Sequence, residues 1–397
     1  MEQRRRIAFA TSSRADYGPA RWVLADLQAR PDVDLVVIAT GTHVDAAHGG
    51  TLAEIAADGI VDVVQVPVVI GTDDPVDRAA WLADWLVGST RVLGELRPDL
   101  LVLLGDRFET LIAAQAATLV GIPIAHLHGG EKTTGAIDDG IRHAITKLAH
   151  IHITAAADYA RRVRQMGERT VFSFSAPGLC ALDREGPVSP AELEHLIGRP
   201  LMSPYVVVTY HPVTAGDPER TLIGAEALIA ALTERPDLDV VLTGVNVDPG
   251  FEPVSSTLAA FARQAGSRVV MVESLGNRGY LSVLRGAQAC IGNSSSGIVE
   301  APALGVPTIN IGPRQDGRLR APSIIDVPED AGAITDAMRR VADPAFLELC
   351  RTRDAPYGRP GASAQIAALL ATIDLSGLPH KDFADCTSPA CSRAEDA

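Results

Sequence analysis

The stretch LLVLLGDRFE (residues 100–109) decides the fold, because five consecutive apolar residues lead directly into a charged turn. An apolar run of this length, bounded by a turn, is typical of a strand buried on both faces. Comparable runs recur along the chain: IAFAT (7–11), LVVIAT (35–40), PIAHL (123–127), IHIT (151–154), YVVVT (205–209), VVLT (240–243), RVVMV (268–272), ACIG (289–292) and PTINI (307–311). Segments of helix length separate these runs, so the sequence predicts an α/β protein with parallel sheets.

The length of 397 residues suits two domains of roughly 150–200 residues each. A polar, proline-rich stretch at 183–204 interrupts the strand pattern, and we interpret it as a linker. The predicted organisation is an N-terminal parallel-sheet domain at 1–195 and a C-terminal one at 196–360. A last helix is predicted at 361–375, and the polar tail at 376–397 is expected to be disordered and dispensable.

Composition and charge narrow the classes of function. Apolar residues make up 47% of the chain and charged residues 21%, which is typical of soluble globular proteins. The formal net charge of −14 argues against a nucleic-acid-binding surface, although a few arginines focused in one site could hold an anionic small molecule. No apolar run reaches the roughly 18–20 residues of a membrane span, and no secretory signal follows the basic start, so a cytoplasmic protein without membrane contact is expected.

The five cysteines occur without C-x-x-C spacing, so no structural metal site is expected. Cys386 and Cys391 have His380 nearby, but they lie in the polar tail, for which disorder is the favoured interpretation. The first turn lacks the dinucleotide fingerprint G-x-G-x-x-G, and the phosphate-binding loop G-x-x-x-x-G-K-[ST] is absent from the chain. Neither of these nucleotide-binding modes is predicted.

Asp106 and Arg107 directly follow the strand at 100–104, at the sheet edge where α/β proteins bind ligands. A carboxylate there suits a base or proton carrier, and a guanidinium suits a phosphate clamp. The alternative is an ion pair that caps the next helix, with Glu109 in its first turn. Arg14, in the turn after the first strand, either faces a pyrophosphate or pairs with Asp16, and the sequence favours neither.

His126 and His128 have the i, i+2 spacing that places two side chains on one face of a strand. A metal site is the less favoured interpretation, because a third ligand is not evident, although Glu131 follows. In acid–base chemistry one histidine would carry a proton and the other would serve as a structural hydrogen bonder. Downstream, Asp138 begins a helix in which it can pair with Arg142 at i, i+4.

In the second half, His211 follows a strand, an arrangement that carries little weight by itself. A later strand is followed by a small polar turn, NSSSG, and a helix. Ser294 and Ser295 offer hydroxyl and N–H donors to an anion at the helix start, and Glu300 is placed to accept two ribose hydroxyls. The alternative is plain N-capping, for which one serine suffices. Arg314, after the next strand, is a further candidate phosphate partner.

Seven segments occur in order between residues 14 and 318: RADYG, GDRFE, HGGE, IDDxIRHAITKLAH, HPVT, GNSSSGIxEAPxLGVPxINIG and RQDGR. Taken together they resemble the UDP-N-acetylglucosamine 2-epimerases, specifically the hydrolysing branch. The resemblance implies a glycosyltransferase-B-like fold, in which two Rossmann-like parallel-sheet domains face each other across a cleft and a terminal helix crosses back to the first domain. It also implies a UDP-sugar substrate, no cofactor, and a homodimer or homotetramer.

The resemblance further implies the chemistry. Anti elimination of UDP and the C2 proton gives 2-acetamidoglucal. Water then adds at C1 with protonation of C2 on the other face, which releases the free 2-epimer; from UDP-N-acetylglucosamine this is N-acetylmannosamine, a precursor of sialic-type nonulosonic acids. Because the C2 hydrogen is not acidic, the bond to UDP must break early, with the pyrophosphate charge stabilised by arginines and helix dipoles.

Site residues follow from the resemblance position by position. It implies that Asp106 and Asp138 are catalytic acids and that His211 lies near the leaving group. The implied contacts of UDP and of its phosphates are Ser294, Ser295, Gly297, Glu300, Arg14, Arg107 and Arg314.

One position departs from the family. Several hydrolysing members carry glutamate where this chain has His128, so that carboxylate is missing here, while Glu131 remains three positions on. Both residues are therefore catalytic candidates. The histidine form is similar to enzymes of bacterial nonulosonate pathways, including hydrolysing epimerases of UDP-2,4-diacetamido-2,4,6-trideoxy sugars, which leaves the C4 substituent of the substrate open.

Three other activities stay open at this point. A glycosyltransferase on the same fold would need an acceptor and would leave C2 unchanged, and a UDP-sugar sensor would bind without turnover. The acids and histidines of the first half argue against a sensor, because uridine recognition does not require them. A non-hydrolysing epimerase is the third, but the IDD and HPVT segments resemble the hydrolysing branch.

Overall fold

The structure, a computed structural model, describes residues 4–45, 51–71, 74–133, 138–202, 204–213, 218–245, 251–378 and 380–381. The chain divides into two compact units. Unit 1 contains the described residues up to 131, those of 138–180 and those from 360 onward; unit 2 contains 132–133 and the described residues of 181–359.

Unit 1 is built on a sheet of seven strands, all paired in parallel. In chain order they are β1 (Arg5–Thr11), β2 (Val33–Ala39), β3 (Val63–Gln65), β4 (Leu100–Leu104), β5 (Ile124–Leu127), β6 (Ile151–Thr154) and β7 (Val171–Ser173). Across the sheet the order is β3-β2-β1-β4-β5-β6-β7. This is a Rossmann-like order, and it puts the topological switch point between β1 and β4.

Helices connect these strands and cover both faces of the sheet. In chain order they are α1 (Arg14–Gln28), α2 (Leu52–Ala57), α3 (Pro75–Leu96), α4 (Phe108–Val120), α5 (Asp138–Leu148) and α6 (Ala157–Gln165). On one face Phe9 of β1 packs in a cluster with Leu24 of α1, and on the other Leu101 of β4 packs in a cluster with Trp85 of α3. Burial on both sides explains why β4 is apolar at every position.

Unit 2 repeats the arrangement with six parallel strands, in the order β10-β9-β8-β11-β12-β13. They are β8 (Tyr205–Thr209), β9 (Asp239–Thr243), β10 (Val269–Val272), β11 (Ala289–Gly292), β12 (Thr308–Ile311) and β13 (Ile324–Val327). The helices are α7 (Ala181–Arg184), α8 (Pro190–Ile197), α9 (Pro218–Thr233), α10 (Phe251–Ala265), α11 (Gly276–Gly286), α12 (Glu300–Leu304), α13 (Ala331–Arg340) and α14 (Pro344–Arg351). Here the switch point lies between β8 and β11. The prediction of two parallel-sheet α/β domains is confirmed.

The stretch interpreted as a linker contains helix α8 and belongs to unit 2, so the chain changes units at 180/181 and not at 195/196. Ser189 and Glu192 form a capping box that starts α8, with Pro190 in the first turn. Leu193 and Leu196 pack in one cluster with Tyr205 of β8. The serine, proline and acid that suggested a linker are therefore start signals of a helix.

After residue 360 the chain is again part of unit 1, where α15 (Ala362–Thr372) packs against α1. The buried thiol of Cys180 accepts hydrogen bonds from the backbone N–H groups of Gly361 and Ser363 at the start of this helix. Of the expected disordered tail, residues 376–378, 380 and 381 are described, and Lys381 contacts the carboxyl end of α5. Cys386 and Cys391 lie outside the described residues.

Three strands were not predicted from the sequence: β3, β7 and β13. Each lies at an edge of its sheet. Among the described residues, no helix combines the length and apolarity needed to cross a membrane. The same part of the chain holds no group of three or more acidic, histidine or cysteine side chains suited to a metal ion.

Candidate active site

In unit 1 the candidate residues follow the carboxyl ends of neighbouring strands near the switch point. Because ligands of open α/β sheets bind beyond these ends, this edge is the candidate site of the unit. Arg14 follows β1, Asp106 and Arg107 follow β4, His128 and Glu131 follow β5, and Asp138 begins α5.

Asp106 is joined to a buried arginine. Arg142 on α5 is 2% exposed, its Nη2 donates to Asp106 Oδ2, and its Nη1 lies 3.8 Å from Asp139 Oδ1. A buried guanidinium needs such acceptors, and in return it orients the Asp106 carboxylate at the end of the strand. The pairing of Arg142 with Asp106, 36 positions earlier, is a contact that the local i, i+4 spacing did not predict.

Arg107 fits the alternative interpretation of its motif. It is the N-cap residue of α4 by position, and its Nε lies 3.5 Å from Glu109 Oε2 in the first turn of that helix. The guanidinium is 45% exposed, so this pair contributes little to stability and the arginine can be recruited by an anion.

Arg14 pairs with Glu54 of α2, at 2.6 Å, and not with Asp16. Asp16 is buried and accepts hydrogen bonds from the N–H groups of Ser12 and Ser13, at 2.7 and 2.8 Å. The bond from Ser13 is one half of the capping box of α1, so Asp16 shapes the turn itself. The predicted alternative, an Arg14–Asp16 pair, is therefore wrong.

His126 is the structural histidine of the pair. Its ring is fully buried, and burial lowers its pKa to about 3, so it is neutral at physiological pH. Nε2 lies 2.7 Å from the carbonyl oxygen of Gly105, which requires the tautomer with the proton on Nε2. The bond ties β5 to the turn that carries Asp106.

His128 and Glu131 form a hydrogen-bonded pair, with His128 Nδ1 2.6 Å from Glu131 Oε1. Glu131 is buried, whereas the imidazole is 18% exposed. A carboxylate at Nδ1 fixes the tautomer and leaves the Nε2 lone pair to accept a proton, as in other histidine–carboxylate pairs. The arrangement can therefore carry a proton.

The two histidines do not share a strand face, as the i, i+2 spacing had predicted. β5 ends at Leu127, and His128 has φ +63°, in the left-handed region. The turn continues through Gly130 at φ +79°, where a Cβ atom would lie 2.5 Å from the carbonyl oxygen of Tyr159. A glycine is thus required at position 130, and His128 lies in this turn, outside the strand and its alternation of side chains.

A partly open cavity of about 20 Å³ lies in unit 1 between the end of β1 and helices α3 and α4. Thr11, Asp16, Trp85 and Glu109 are among the residues that line it. The volume suffices for about one water molecule, so this cavity cannot hold a sugar.

In unit 2, Asn293 connects the ends of β8 and β11 at the switch point. It is fully buried; its Oδ1 accepts from His211 N at 2.7 Å, and its Nδ2 donates to His211 O at 2.8 Å. Its own carbonyl oxygen accepts from Gln315 Nε2 at 2.8 Å and from Arg314 Nη1 at 3.2 Å. Sequence reasoning missed this residue, although it stands in the predicted turn.

His211 is buried beside Arg314. Burial, and then the charge of Arg314, lowers the pKa of His211 to about 3, so the imidazole is neutral near pH 7. It can offer or accept a hydrogen bond but cannot act as a charged acid. Arg314 also donates from Nε to the carbonyl oxygen of Pro212 at 3.1 Å, which fixes the guanidinium against the His211 segment.

The serine turn lies before a short helix and not at its start. Residues Ser295–Gly297 form a 3₁₀ turn, and α12 begins only at Glu300 and has five residues. Ser294 caps the 3₁₀ turn by accepting from Ser296 N, at 3.4 Å. The serines were expected at the positive end of a helix. The structure instead places them in a capped 3₁₀ turn, in which Ser295 is exposed.

Two contacts hold this turn in place. Ser296 Oγ lies 2.5 Å from the hydroxyl of Tyr280 on α11 and also donates to Ser294 Oγ, at 3.1 Å. Gly297 is buried; its carbonyl oxygen accepts from Thr308 Oγ1 at 2.8 Å, and a Cβ there would lie 2.8 Å from Thr308 Cγ2. Gly297 therefore permits close packing of the turn on β12.

A sequence profile of the family described as UDP-N-acetylglucosamine 2-epimerase matches residues 25–371. The chain belongs to this family. The predicted resemblance is thereby confirmed at the level of the family.

Two curated relatives of this 2-epimerase-family chain match along nearly their whole lengths. The polysialic acid biosynthesis protein P7 of Escherichia coli is 33% identical over 396 residues, 99% of this chain and 100% of the relative. A UDP-N,N′-diacetylbacillosamine 2-epimerase (hydrolyzing) of Legionella pneumophila is 32% identical over 373 residues, 94% and 97% of the two chains.

A solved structure of a family member has the same fold. The UDP-GlcNAc 2-epimerase from Neisseria meningitidis, solved bound to UDP-GlcNAc, superposes with a TM-score of 0.80 at 16% identity, covering 92% of this chain and 99% of that one. This likeness confirms the expected glycosyltransferase-B-like class of paired Rossmann-like domains.

Proposed function

We propose that this member of the 2-epimerase family is a hydrolysing enzyme that converts UDP-N-acetylglucosamine and water to N-acetylmannosamine and UDP. The observation that carries the proposal is two side-chain pairs in unit 1, each suited to proton transfer. In one, the buried guanidinium of Arg142 holds the carboxylate of Asp106; in the other, the buried carboxylate of Glu131 holds the imidazole of His128. Both pairs follow adjacent strands, β4 and β5. A protein that only binds UDP has no need of either.

The reaction requires a group that takes the C2 proton and one that supplies a proton later. In the first step a base removes the C2 hydrogen, the C–H electron pair becomes the C1=C2 bond, and the C1–O pair leaves with UDP. Water then adds its oxygen to C1, and C2 is protonated on the opposite face. Asp106 is the proposed proton acceptor, and His128, oriented by Glu131, is the proposed second proton carrier. Asp138, at the start of α5, is the third proposed catalytic acid.

The leaving group needs charge stabilisation, because UDP departs as an anion. We assign this to Arg14, Arg107 and Arg314, with neutral His211 as a hydrogen-bond partner of the leaving oxygen. The serine turn, with Ser294, Ser295 and Gly297, is the proposed holder of the diphosphate, and Glu300 the proposed partner of the ribose hydroxyls.

A second substrate, UDP-2,4-diacetamido-2,4,6-trideoxyglucose, is supported by a specific observation. The Legionella pneumophila relative is described as a diacetylbacillosamine epimerase. The reaction would be the same, with a 4-acetamido-6-deoxy product. The E. coli relative is described as a polysialic acid biosynthesis protein. This supports UDP-N-acetylglucosamine as the substrate, because its product, N-acetylmannosamine, is a precursor of sialic-type acids.

Product analysis distinguishes these activities. Purified protein is incubated with each UDP-sugar, with no acceptor added, and released UDP and free sugar are quantified by chromatography. Stoichiometric UDP and free 2-epimer are expected, at a higher kcat/KM for one of the two sugars. A UDP-linked 2-epimer would instead establish a non-hydrolysing epimerase, and binding without any product would establish a sensor.

The placement of the nucleotide is tested separately with Glu300→Ala. We expect the dissociation constant of UDP to rise about tenfold, because a bidentate contact to two hydroxyls is lost. Glu329→Ala is a matched control in the same unit, since Glu329 pairs with Arg220. An unchanged dissociation constant in the Glu300 variant would refute the assignment.

A further inference from the structure

A buried charge cluster lies in unit 1, outside the groups assigned to the reaction. The carboxylate of Glu168 is 2% exposed and has three partners: Lys147 Nζ at 2.7 Å, His152 Nε2 at 3.0 Å and Lys381 Nζ at 2.6 Å. Burial alone would raise the pKa of Glu168, but the hydrogen bonds from these partners outweigh it and hold that pKa at about 2. Glu168 is therefore an anion at neutral pH and needs cations around it.

His152 is the neutral member of the cluster. Its ring is fully buried, and burial lowers its pKa despite the hydrogen bond to Glu168. Nδ1 has no hydrogen-bond partner among the described residues, which fits a bare lone pair and places the single proton on Nε2, facing Glu168. The positive charge that balances Glu168 therefore comes from the two lysines.

Lys381 differs from Lys147 in what else it touches. Its ammonium also donates to the carbonyl oxygens of Thr146 at 3.3 Å, Lys147 at 2.8 Å and Ala149. These carbonyls belong to the last turn of α5 and its exit, where helix carbonyls lack partners within the helix. A cation at this end also interacts favourably with the negative end of the helix dipole. Lys381 thus caps the carboxyl end of α5 and bridges it to Glu168.

The opposite end of α5 carries the proposed reaction groups. Asp138 and Asp139 lie in its first turn, and Arg142, one turn on, holds Asp106. The helix has only 11 residues, so a shift of its carboxyl end as part of a rigid helix displaces the amino end as well.

We propose that Lys381 is a positioning residue: it docks the described part of the C-terminal segment, residues 376–378 and 380–381, on α5 and Glu168, and it thereby fixes the acid-bearing end of α5. The segment lies beyond the family match, which ends at residue 371, and the sequence had suggested that it was dispensable. The docking itself is independent of the reaction, and its catalytic consequence rests on the proposed function.

The test compares Lys381→Met with Lys147→Met in the full chain. Both substitutions remove one lysine from Glu168 and keep an unbranched apolar stem, but only the first removes the cap of α5. For Lys381→Met we expect about tenfold faster hydrogen exchange of the amides at 142–149. We also expect kcat to fall about fivefold with KM within twofold. Lys147→Met should change both readouts less, and Lys381→Arg should restore most of the loss.

Truncations provide a second route that does not depend on one side chain. A chain ending at residue 381 should match wild type, whereas one ending at 378 should reproduce Lys381→Met. Thermal midpoints confirm that each variant is folded at the assay temperature. Unchanged α5 exchange in Lys381→Met overturns the docking, and faster exchange with unchanged kcat overturns the positioning role. A wild type without UDP-sugar turnover overturns only the proposed function, because the exchange readout still decides the docking.

Discussion

Asn293→Ala tests the connection that organises the candidate nucleotide site of unit 2. The substitution removes two hydrogen bonds, of 2.7 and 2.8 Å, and leaves the N–H and C=O of His211 buried without these partners. An unsatisfied buried polar group costs about 1–3 kcal/mol, so the expected loss of stability is about 2–5 kcal/mol. Because the same bonds hold the His211 segment beside Arg314, UDP affinity should fall as well, by about tenfold.

The assay is a urea titration followed by two signals. All three tryptophans, Trp22, Trp81 and Trp85, lie in unit 1, so their fluorescence reports that unit, while far-ultraviolet circular dichroism reports both. The dichroism midpoint is expected to fall by about 1 M or more, and the fluorescence midpoint by less.

Asn310→Ala is the matched control for this substitution. Asn310 is also a buried asparagine at the end of a strand of the same sheet, but its side chain donates to Asp326, whose side chain is 52% exposed and can turn to water. Its replacement should cost about 1 kcal/mol. A dichroism midpoint of Asn293→Ala no lower than that of Asn310→Ala would refute the reasoning.

Two further predictions concern Tyr280 and Glu168. Tyr280→Phe removes the hydroxyl that lies 2.5 Å from Ser296 Oγ, so the serine turn should loosen. The dissociation constant of UDP, measured by calorimetry, should rise about threefold to tenfold, with little change in the thermal midpoint. Equal affinity would show that the turn holds its shape without this contact. The pKa of Glu168 is lowered from 4.5 to about 2 by folding, so its contribution to stability, up to about 3 kcal/mol, is complete above pH 4.5 and is lost as the pH falls toward 2. Urea midpoints measured between pH 6 and 3 should therefore fall more steeply in wild type than in Glu168→Gln, and parallel curves would contradict this account.

The central strands of the two described sheets could be predicted from the sequence, whereas three edge strands, β3, β7 and β13, could not; the edge strand β10 was predicted from its apolar run RVVMV. A strand such as β4 is covered on both faces, so each of its residues is apolar and the run stands out. β13, at an edge, contains Asp326, and β3 has only three residues, none of them buried. The residue composition of such an edge strand is close to that of a loop, because only one neighbouring strand pairs with it and less of it is buried.

The candidate site was predictable where it depended on position along the chain. Asp106 stands at a strand end, and that position alone marked it. Its partner Arg142 is 36 positions away, a separation that no local spacing rule covers. Pairing across such a distance depends on which strands and helices are neighbours in space, which the sequence pattern does not give.

Two misinterpretations had local causes. Ser189 and Glu192 were counted as polar linker residues, although their spacing is that of a capping box. His128 was placed on the face of β5, although the two glycines that follow it signal that the strand is ending. For Lys381 no local signal exists, since it is a single lysine in a polar segment, and its importance comes from the buried Glu168.

The most direct test of the proposed reaction is proton NMR of wild type and Asp106→Asn with UDP-N-acetylglucosamine in D2O, without an acceptor, with the diacetamido-trideoxy sugar as the second substrate. For wild type the account predicts release of UDP and a free 2-epimeric sugar that carries deuterium at C2. Asp106→Asn should show no turnover, with UDP affinity within about threefold of wild type. A product that keeps its C2 proton, or full turnover by Asp106→Asn, would contradict the central claim.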